Sequence, residues 1–294
     1  MKVLVIGSQG QVARSLVERS KGRRNMDLVA VGRPMIDLEE SGSATSAIDA
    51  IGPDVVINAA AYTAVDQAED EPDRAFRINA EAAGEIAAAT NGKARLIHIS
   101  TDYVFDGRSG ESYAENAVTN ALSVYGRSKL AGEEHVREAT PDHVIIRTSW
   151  VYSPFGRNFV KTMMNAAELH DHLTVVDDQF GCPTLALDLA EGLLQIIDRW
   201  ASRSHIGLGE CYHLAGTGST SWCGFAQAIM DERRKRNLKA PPVHPIQSSD
   251  WPTKAERPRN SALNSAKFLS DFGYQMPPWR SSLAELIGRL AAHE

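Results

Sequence analysis

The first thirteen residues constrain this chain more than any other stretch. Lys2 to Ile6 reads KVLVI, a short β-branched apolar run without alternation, as expected of a strand buried on both faces. Gly7-Ser8-Gln9-Gly10-Gln11-Val12-Ala13 follows, and Leu16 and Val17 continue at helical spacing. Strand, glycine turn, helix is the setting in which a G-x-x-G-x-x-A pattern has diagnostic weight. Gly7 and Gly10 permit a tight turn and close approach of a ligand to the backbone, and Ala13 is small where helix must pack on sheet. The amides that open the helix, from Gly10 through Gln11 and Val12, then face an anion such as a pyrophosphate with the helix dipole behind them.

A βα rhythm continues. Leu28 to Val31 reads as the second strand and ends in Gly32-Arg33. A site that prefers NAD places an acid there, whereas an arginine accommodates a 2′-phosphate; Arg33 therefore points to NADPH, with NADH the alternative. Asp37-Leu38 opens the next turn, where adenine would lie. Helical spacing through Ala44, Ala47, Ile48 and Ile51 stops at Gly52-Pro53-Asp54. Val55 to Asn58 is the third strand, and the small residues that follow, Ala59-Ala60-Ala61 before Tyr62-Thr63, suit a crevice that a cofactor enters closely. Glu69 to Ala89 reads as one alanine-rich helix containing Asn79, whose side chain is either solvated or a buried hydrogen-bonder. Arg95 to Ser100 is the fourth strand, with Thr101 just past its end, and His143 to Arg147 is the fifth. The alternation predicts an α/β fold with a Rossmann-type, doubly wound parallel sheet and right-handed crossovers.

Tyr125-Gly126-Arg127-Ser128-Lys129 opens the helix before the fifth strand. Residues four apart share a helix face, and an ammonium beside a phenol favours the phenolate. Spacing alone is weak support. Placement is stronger, because this helix crosses back to the sheet and can present Tyr125 beside Thr101, at the sheet edge where ligands bind.

Composition excludes several classes. The 294 residues carry a net charge of −6, which disfavours a nucleic-acid surface. The basic run Arg233-Arg234-Lys235-Arg236 follows an apolar helical pattern and reads as its solvated end. Three cysteines without a C-x-x-C suggest neither disulfides nor zinc, so no metal is assigned. Met1 runs directly into a strand, no apolar stretch is long enough for a membrane span, and a cytoplasmic protein without signal peptide is expected.

The motifs taken together resemble the extended short-chain dehydrogenase/reductase superfamily: the glycine turn, Ser100-Thr-Asp-Tyr-Val-Phe-Asp-Gly107 and Tyr125-x-x-x-Lys129. Within it the chain is similar to the dTDP-4-dehydrorhamnose reductase family. Matching runs include Asn58-Ala-Ala-Ala-Tyr-Thr-Ala-Val-Asp66 and Arg147-Thr-Ser-Trp-Val-Tyr152, and the narrower ones are Asp178-Gln-Phe-Gly-Cys-Pro-Thr184 and Arg257-Pro-Arg-Asn-Ser-Ala-Leu-Asn264. The resemblance implies reduction of a sugar-nucleotide 4-ketone to dTDP-L-rhamnose. It assigns Tyr125 as proton donor, Lys129 as ligand of the nicotinamide ribose that also keeps Tyr125 acidic, and Thr101 as partner of the reacting oxygen. Asp102 and Trp150 would contact the sugar nucleotide; Asn158, Lys161, Arg257 and Asn260 are candidates for its nucleotide and diphosphate.

In the family a smaller C-terminal part closes over the site. The expected division is a cofactor domain over 1–150, joined by segments of 181–215, and a mainly substrate-binding domain over 151–294. A homodimer is compatible with the family. Two alternatives stand beside the leading reading. One is a 4-ketoreductase for another deoxysugar nucleotide; the other is a non-catalytic regulatory subunit resembling the β subunit of methionine adenosyltransferase. The presence of Thr101, Tyr125 and Lys129, and a chain that runs on only briefly past the substrate part, weigh against the second.

Overall fold

A computed structural model of the chain describes residues 1–202 and 204–292. Among the described residues twelve strands run in order: β1 (Lys2–Ile6), β2 (Asp27–Val31), β3 (Val55–Asn58), β4 (Arg95–Thr101), β5 (His143–Thr148), β6 (Val151–Tyr152), β7 (Leu173–Val176), β8 (Phe180–Gly181), β9 (Thr184–Leu185), β10 (Glu210–His213), β11 (Thr220–Ser221) and β12 (Val243–Ile246). The α-helices among them are α1 (Gln11–Ser20), α2 (Ser43–Ile51), α3 (Val65–Ala68), α4 (Pro72–Phe76), α5 (Ala82–Thr90), α6 (Val124–Ala139), α7 (Phe159–Leu169), α8 (Ala186–Ala201), α9 (Trp222–Arg234), α10 (Ala266–Phe272) and α11 (Trp279–Ala291).

Six strands form one sheet in the order β2-β1-β3-β4-β5-β10, every pair parallel. From β1 the chain steps outward to β2, then returns past β1 to β3 on its other side. That reversal opens a crevice at the carboxyl ends of β1 and β3, the position where doubly wound sheets bind ligands. The central strands are apolar on both faces, and each face is covered. Leu4, Ile6, Val56 and Leu96 pack with residues of α2, α5 and α6, while Val3, Val5, Ile57 and Ile146 pack with α1, α8 and α10. Ala13 is fully buried in the second of these clusters, as its place in the glycine turn predicts. The C-terminal elements α7, α9 and α11 enclose a third cluster around Phe225, Trp279 and Tyr152. Beside it β12 pairs with β7, and β8 with β11.

Two sequence expectations need correction. The helix expected over Glu69 to Ala89 is interrupted. Pro72, with no N–H to give, starts a new helix at α4, and residues Arg77–Glu81 form a π-turn before α5. The basic run is not wholly solvated either. Arg233 is only 1% exposed, because the end of α9 packs on that of α7. There its guanidinium pairs with Glu168 and donates 2.7 Å to the Lys239 carbonyl.

Candidate active site

A cavity of about 870 Å³ opens along the carboxyl edge of the sheet. Its floor is the glycine turn, with Gly7, Gly10, Gln11 and Val12 in the wall. Gly7 has φ +109°, and a Cβ there would meet the Ala60 backbone nitrogen at 3.1 Å, so the turn and the loop after β3 close on one another only without a side chain. The Gly10 carbonyl begins α1, accepting from Arg14 N at 3.0 Å, and leaves the first amides of the helix facing the cavity. This cradle, the small residues Ala60 and Ala61, and the cavity's volume fit a dinucleotide.

At one end stand Arg33, Asp37, Leu38 and Tyr62. Arg33 is 65% exposed and lies 3.8 Å from both Asp37 and Glu39, a loose pairing that leaves its guanidinium able to turn toward a phosphate. Arg74, which the sequence reading did not single out, lines the same end and holds Glu39 at 2.8 Å.

At the other end Thr101, Asp102, Tyr125, Lys129 and Trp150 come together. Ser123 caps α6 by accepting from Gly126 N at 3.1 Å, which fixes the first turn carrying Tyr125. The Tyr125 ring meets Tyr103 edge-on at 5.5 Å. Deeper along α6, Gly132 allows the helix to touch the π-turn; a Cβ there would lie 2.1 Å from the Asn79 carbonyl. Asn79 is therefore buried rather than solvated. Its Oδ1 accepts from Tyr62 N at 2.8 Å, and its Nδ2 donates to Ser128 Oγ at 2.9 Å. One side chain thus ties the loop on the cofactor side of the cavity to the helix between Tyr125 and Lys129.

Burial dominates the electrostatics. It pushes the Tyr125 phenol up to about 12, opposed by the Thr101 hydrogen bond and reinforced by Asp102. Burial lowers Lys129 to about 8, against the charge of Glu133. The sequence reading had the ammonium keep Tyr125 acidic. In the structure Lys129 Nζ instead donates 2.7 Å to the Ile99 carbonyl, and it is Thr101 that favours the phenolate. Asp102 is 2% exposed and is raised by burial to about 7, in spite of hydrogen bonds with Ser261 and Thr101. Its Oδ2 and the Oγ1 of neighbouring Thr148 are buried without a hydrogen-bond partner in the cavity wall. Behind them lies a closed ion pair. Arg147 grips Glu133 through two hydrogen bonds of 2.8 and 2.7 Å, and Ser100 donates to the same carboxylate at 2.6 Å.

Four substrate candidates, Asn158, Lys161, Arg257 and Asn260, lie outside the cavity wall. Asn158 caps α7, accepting from Lys161 N at 3.2 Å, and donates to Gln11 Oε1 at 3.1 Å. Arg257 forms a bidentate pair with Asp66 at 2.8 and 3.1 Å. Asn260 donates to the carbonyls of Ser109 and Glu111 at 2.9 and 3.0 Å, pinning a loop. Each side chain is already committed to another loop or helix. Lys161 likewise turns to the Pro154 carbonyl at 3.5 Å. Conversely, Trp222 lines the cavity although nothing local in its sequence marks it, and so does Thr148, which the Arg147–Tyr152 run contains without pointing to a role for it.

Known proteins resemble this chain over nearly its whole length. A sequence model of the family described as RmlD substrate binding domain matches residues 1–292. A dTDP-4-dehydrorhamnose reductase of Sinorhizobium fredii is 42% identical over 99% of this chain and 98% of its own length. Among solved structures, a reductase of that name from Clostridium acetobutylicum superposes with a TM-score of 0.90 at 35% identity, over 99% of this chain and 100% of the other. One from Bacillus anthracis, in complex with NADP, gives 0.89 at 34% identity, over 98% and 99%. By the extent of these matches, and by the glycine cradle and Thr-Tyr-Lys grouping that accompany them, the chain belongs to the RmlD substrate-binding-domain family.

Proposed function

We propose that this protein catalyses the NADPH-dependent reduction of the 4-keto group of dTDP-4-dehydro-L-rhamnose, giving dTDP-L-rhamnose. The observation that carries the reading is the convergence of Thr101, Tyr125 and Lys129 at one end of a dinucleotide-sized cavity. Relatives over nearly the whole length bear the name of that activity, and one neighbour holds NADP.

The residues divide the work. The turn Gly7 to Val12 holds the pyrophosphate, Arg33 the 2′-phosphate, and Ala60 to Tyr62 the middle of the cofactor, whose ribose takes Lys129 and Tyr125. Bound NADPH supplies the hydride for the carbonyl carbon. Tyr125 donates its phenolic proton to the oxygen as charge develops there, and Thr101 hydrogen-bonds the same oxygen. A phenol held near 12 keeps its proton until an alkoxide forms, and the Thr101 hydrogen bond favours the phenolate that remains. Asp102 and Thr148 offer buried polar atoms to sugar hydroxyls, and Trp150 offers an aromatic surface. Residues 1–150 with parts of 181–215 act as the cofactor unit and 151–294 mainly as the sugar unit. The protein works in the cytoplasm, as a monomer or a homodimer; among the described residues no helix is long and apolar enough to cross a membrane.

The test is loss of NADPH absorbance on addition of enzymatically generated dTDP-4-dehydro-L-rhamnose, with the product identified. Tight NADPH binding without turnover would favour the regulatory reading. Turnover only with a different 4-ketosugar would move the specificity to another deoxysugar.

A further inference from the structure

Trp150 sits in a backbone conformation that its side chain does not favour. Its φ is +47°, and only one other non-glycine among the described residues, Asn237, has positive φ. Such a conformation persists only where the surroundings over-determine it. Here they do. The Thr184 N–H donates to the Trp150 carbonyl at 3.2 Å, and the Ser149 hydroxyl donates to the Cys182 carbonyl at 2.8 Å. The indole is gripped on two sides. A Cβ on Gly181 would lie 2.4 Å from Trp150 Cε2, so the ring passes where any other residue would stand. Trp222 stacks on the indole with centroids 3.5 Å apart and planes inclined by 5°. Trp222 is fixed in turn by Phe159 at 4.6 Å and by its place at the start of α9, where Ser221 accepts from Gly224 N at 2.9 Å. Both indoles remain half-buried, in the wall of the cavity that holds Thr101 and Asp102.

We propose that Trp222 and Gly181 form a clamp that holds Trp150 in its strained position as the wall against which the sugar is oriented, which makes Trp222 a positioning residue for the reduction. This rests on the reading of the cavity as a sugar-nucleotide site. The clamp joins the exit of β5 to β8 and α9, so the C-terminal elements set where the wall stands relative to Tyr125. The cofactor cradle is built from other segments, from the glycine turn and the loop after β3. Loosening the clamp therefore affects sugar handling and leaves NADPH affinity unaltered.

Two indoles stacked face to face in parallel planes couple their electronic transitions and give a far-ultraviolet circular-dichroism couplet. The test compares the wild type with Trp222→Phe, Trp222→Ala, Gly181→Ala and Trp150→Phe. The couplet is present in the wild type and lost equally in Trp150→Phe and Trp222→Phe. For the sugar, kcat/KM falls on the order of ten- to a hundredfold in Trp222→Ala, as for other displacements of about an ångström at a reacting centre. Trp222→Phe regains most of that loss, because a flat ring is restored. Gly181→Ala repeats the loss from the other side and keeps the proposal testable should Trp222→Ala fail to fold. NADPH dissociation constants stay unchanged throughout. Equal losses for NADPH and sugar, or unchanged sugar kinetics in both Trp222→Ala and Gly181→Ala, would overturn the clamp. The couplet is read without substrate. Should the wild type fail to reduce the sugar, that sinks the functional reading, while the presence or absence of the couplet still decides the stack.

Discussion

Asp102 is a carboxyl group that burial keeps protonated through mildly acidic pH and only about half ionised at neutral pH, and replacing it with asparagine exposes that directly. Burial raises the group from 3.8 to about 7. At about 1.4 kcal/mol for each pH unit, a rise of roughly three units corresponds to a penalty on the order of 4 kcal/mol once the pH passes the folded value. The sign follows from linkage. Below 3.8 both folded and unfolded chains hold the proton and nothing is lost. Between 3.8 and about 7 the unfolded chain releases it while the folded chain does not, so stability declines as pH rises and then levels off. Asp102→Asn cannot ionise and keeps an amide of nearly the same shape against Thr101 and Ser261. Its stability relative to the wild type should therefore increase by about 2 kcal/mol between about pH 5 and pH 7, with little change above. Denaturant melts of both proteins across that range give the difference curve. A difference that does not vary with pH would refute the reasoning, since it would mean that Asp102 ionises in the folded protein as it does in water. The variant should also turn over more slowly, because an amide changes what the cavity offers the sugar.

Three further outcomes follow from the site. Tyr125→Phe should lower kcat by roughly a hundred- to ten-thousandfold, the usual range for a lost general acid, and weaken NADPH binding far less; parallel losses in both would contradict its role. Arg33→Ala should weaken NADPH about tenfold, on the order of 1.4 kcal/mol, and leave NADH unaffected, as read by fluorescence titration with each cofactor. Glu133→Ala strands Arg147 beneath the sheet edge, and denaturant unfolding should show a loss of roughly 3–5 kcal/mol; a near-neutral effect would mean the pair is solvated.

Much of this was legible in the residues because the governing interactions are local. The KVLVI strand, the glycine turn and the start of α6 each depend on neighbours a few positions away, and all three form where expected. The Thr101, Tyr125 and Lys129 grouping followed from topology, since parallel strands bring their carboxyl ends to one edge. What could not be read depends on partners far along the chain. Arg257 looks like a phosphate ligand until Asp66 is seen to hold it, and Asn260 until the Ser109 and Glu111 carbonyls appear beside it. Asn79 could be a surface residue in any alanine-rich helix; the π-turn and Gly132 bury it. Trp222 lies at the start of a helix whose apolar positions predict only core packing, and its partner Trp150 is far away in sequence but in the same wall in space. The charge relation at Tyr125 was misjudged for the same reason. Helical spacing brings Lys129 to the right face, but the Ile99 carbonyl decides where its ammonium points.

The central claim is that this cavity reduces a sugar ketone at C4, and isotope transfer tests it most directly. The protein would be run with reduced nicotinamide cofactor carrying deuterium at its transferable position and with dTDP-4-dehydro-L-rhamnose, and the sugar product read by nuclear magnetic resonance. The expected product is dTDP-L-rhamnose with deuterium at C4 alone, and no label is transferred by Tyr125→Phe on the same timescale. Deuterium at another carbon, or oxidation of the cofactor with none in the sugar, would contradict that claim.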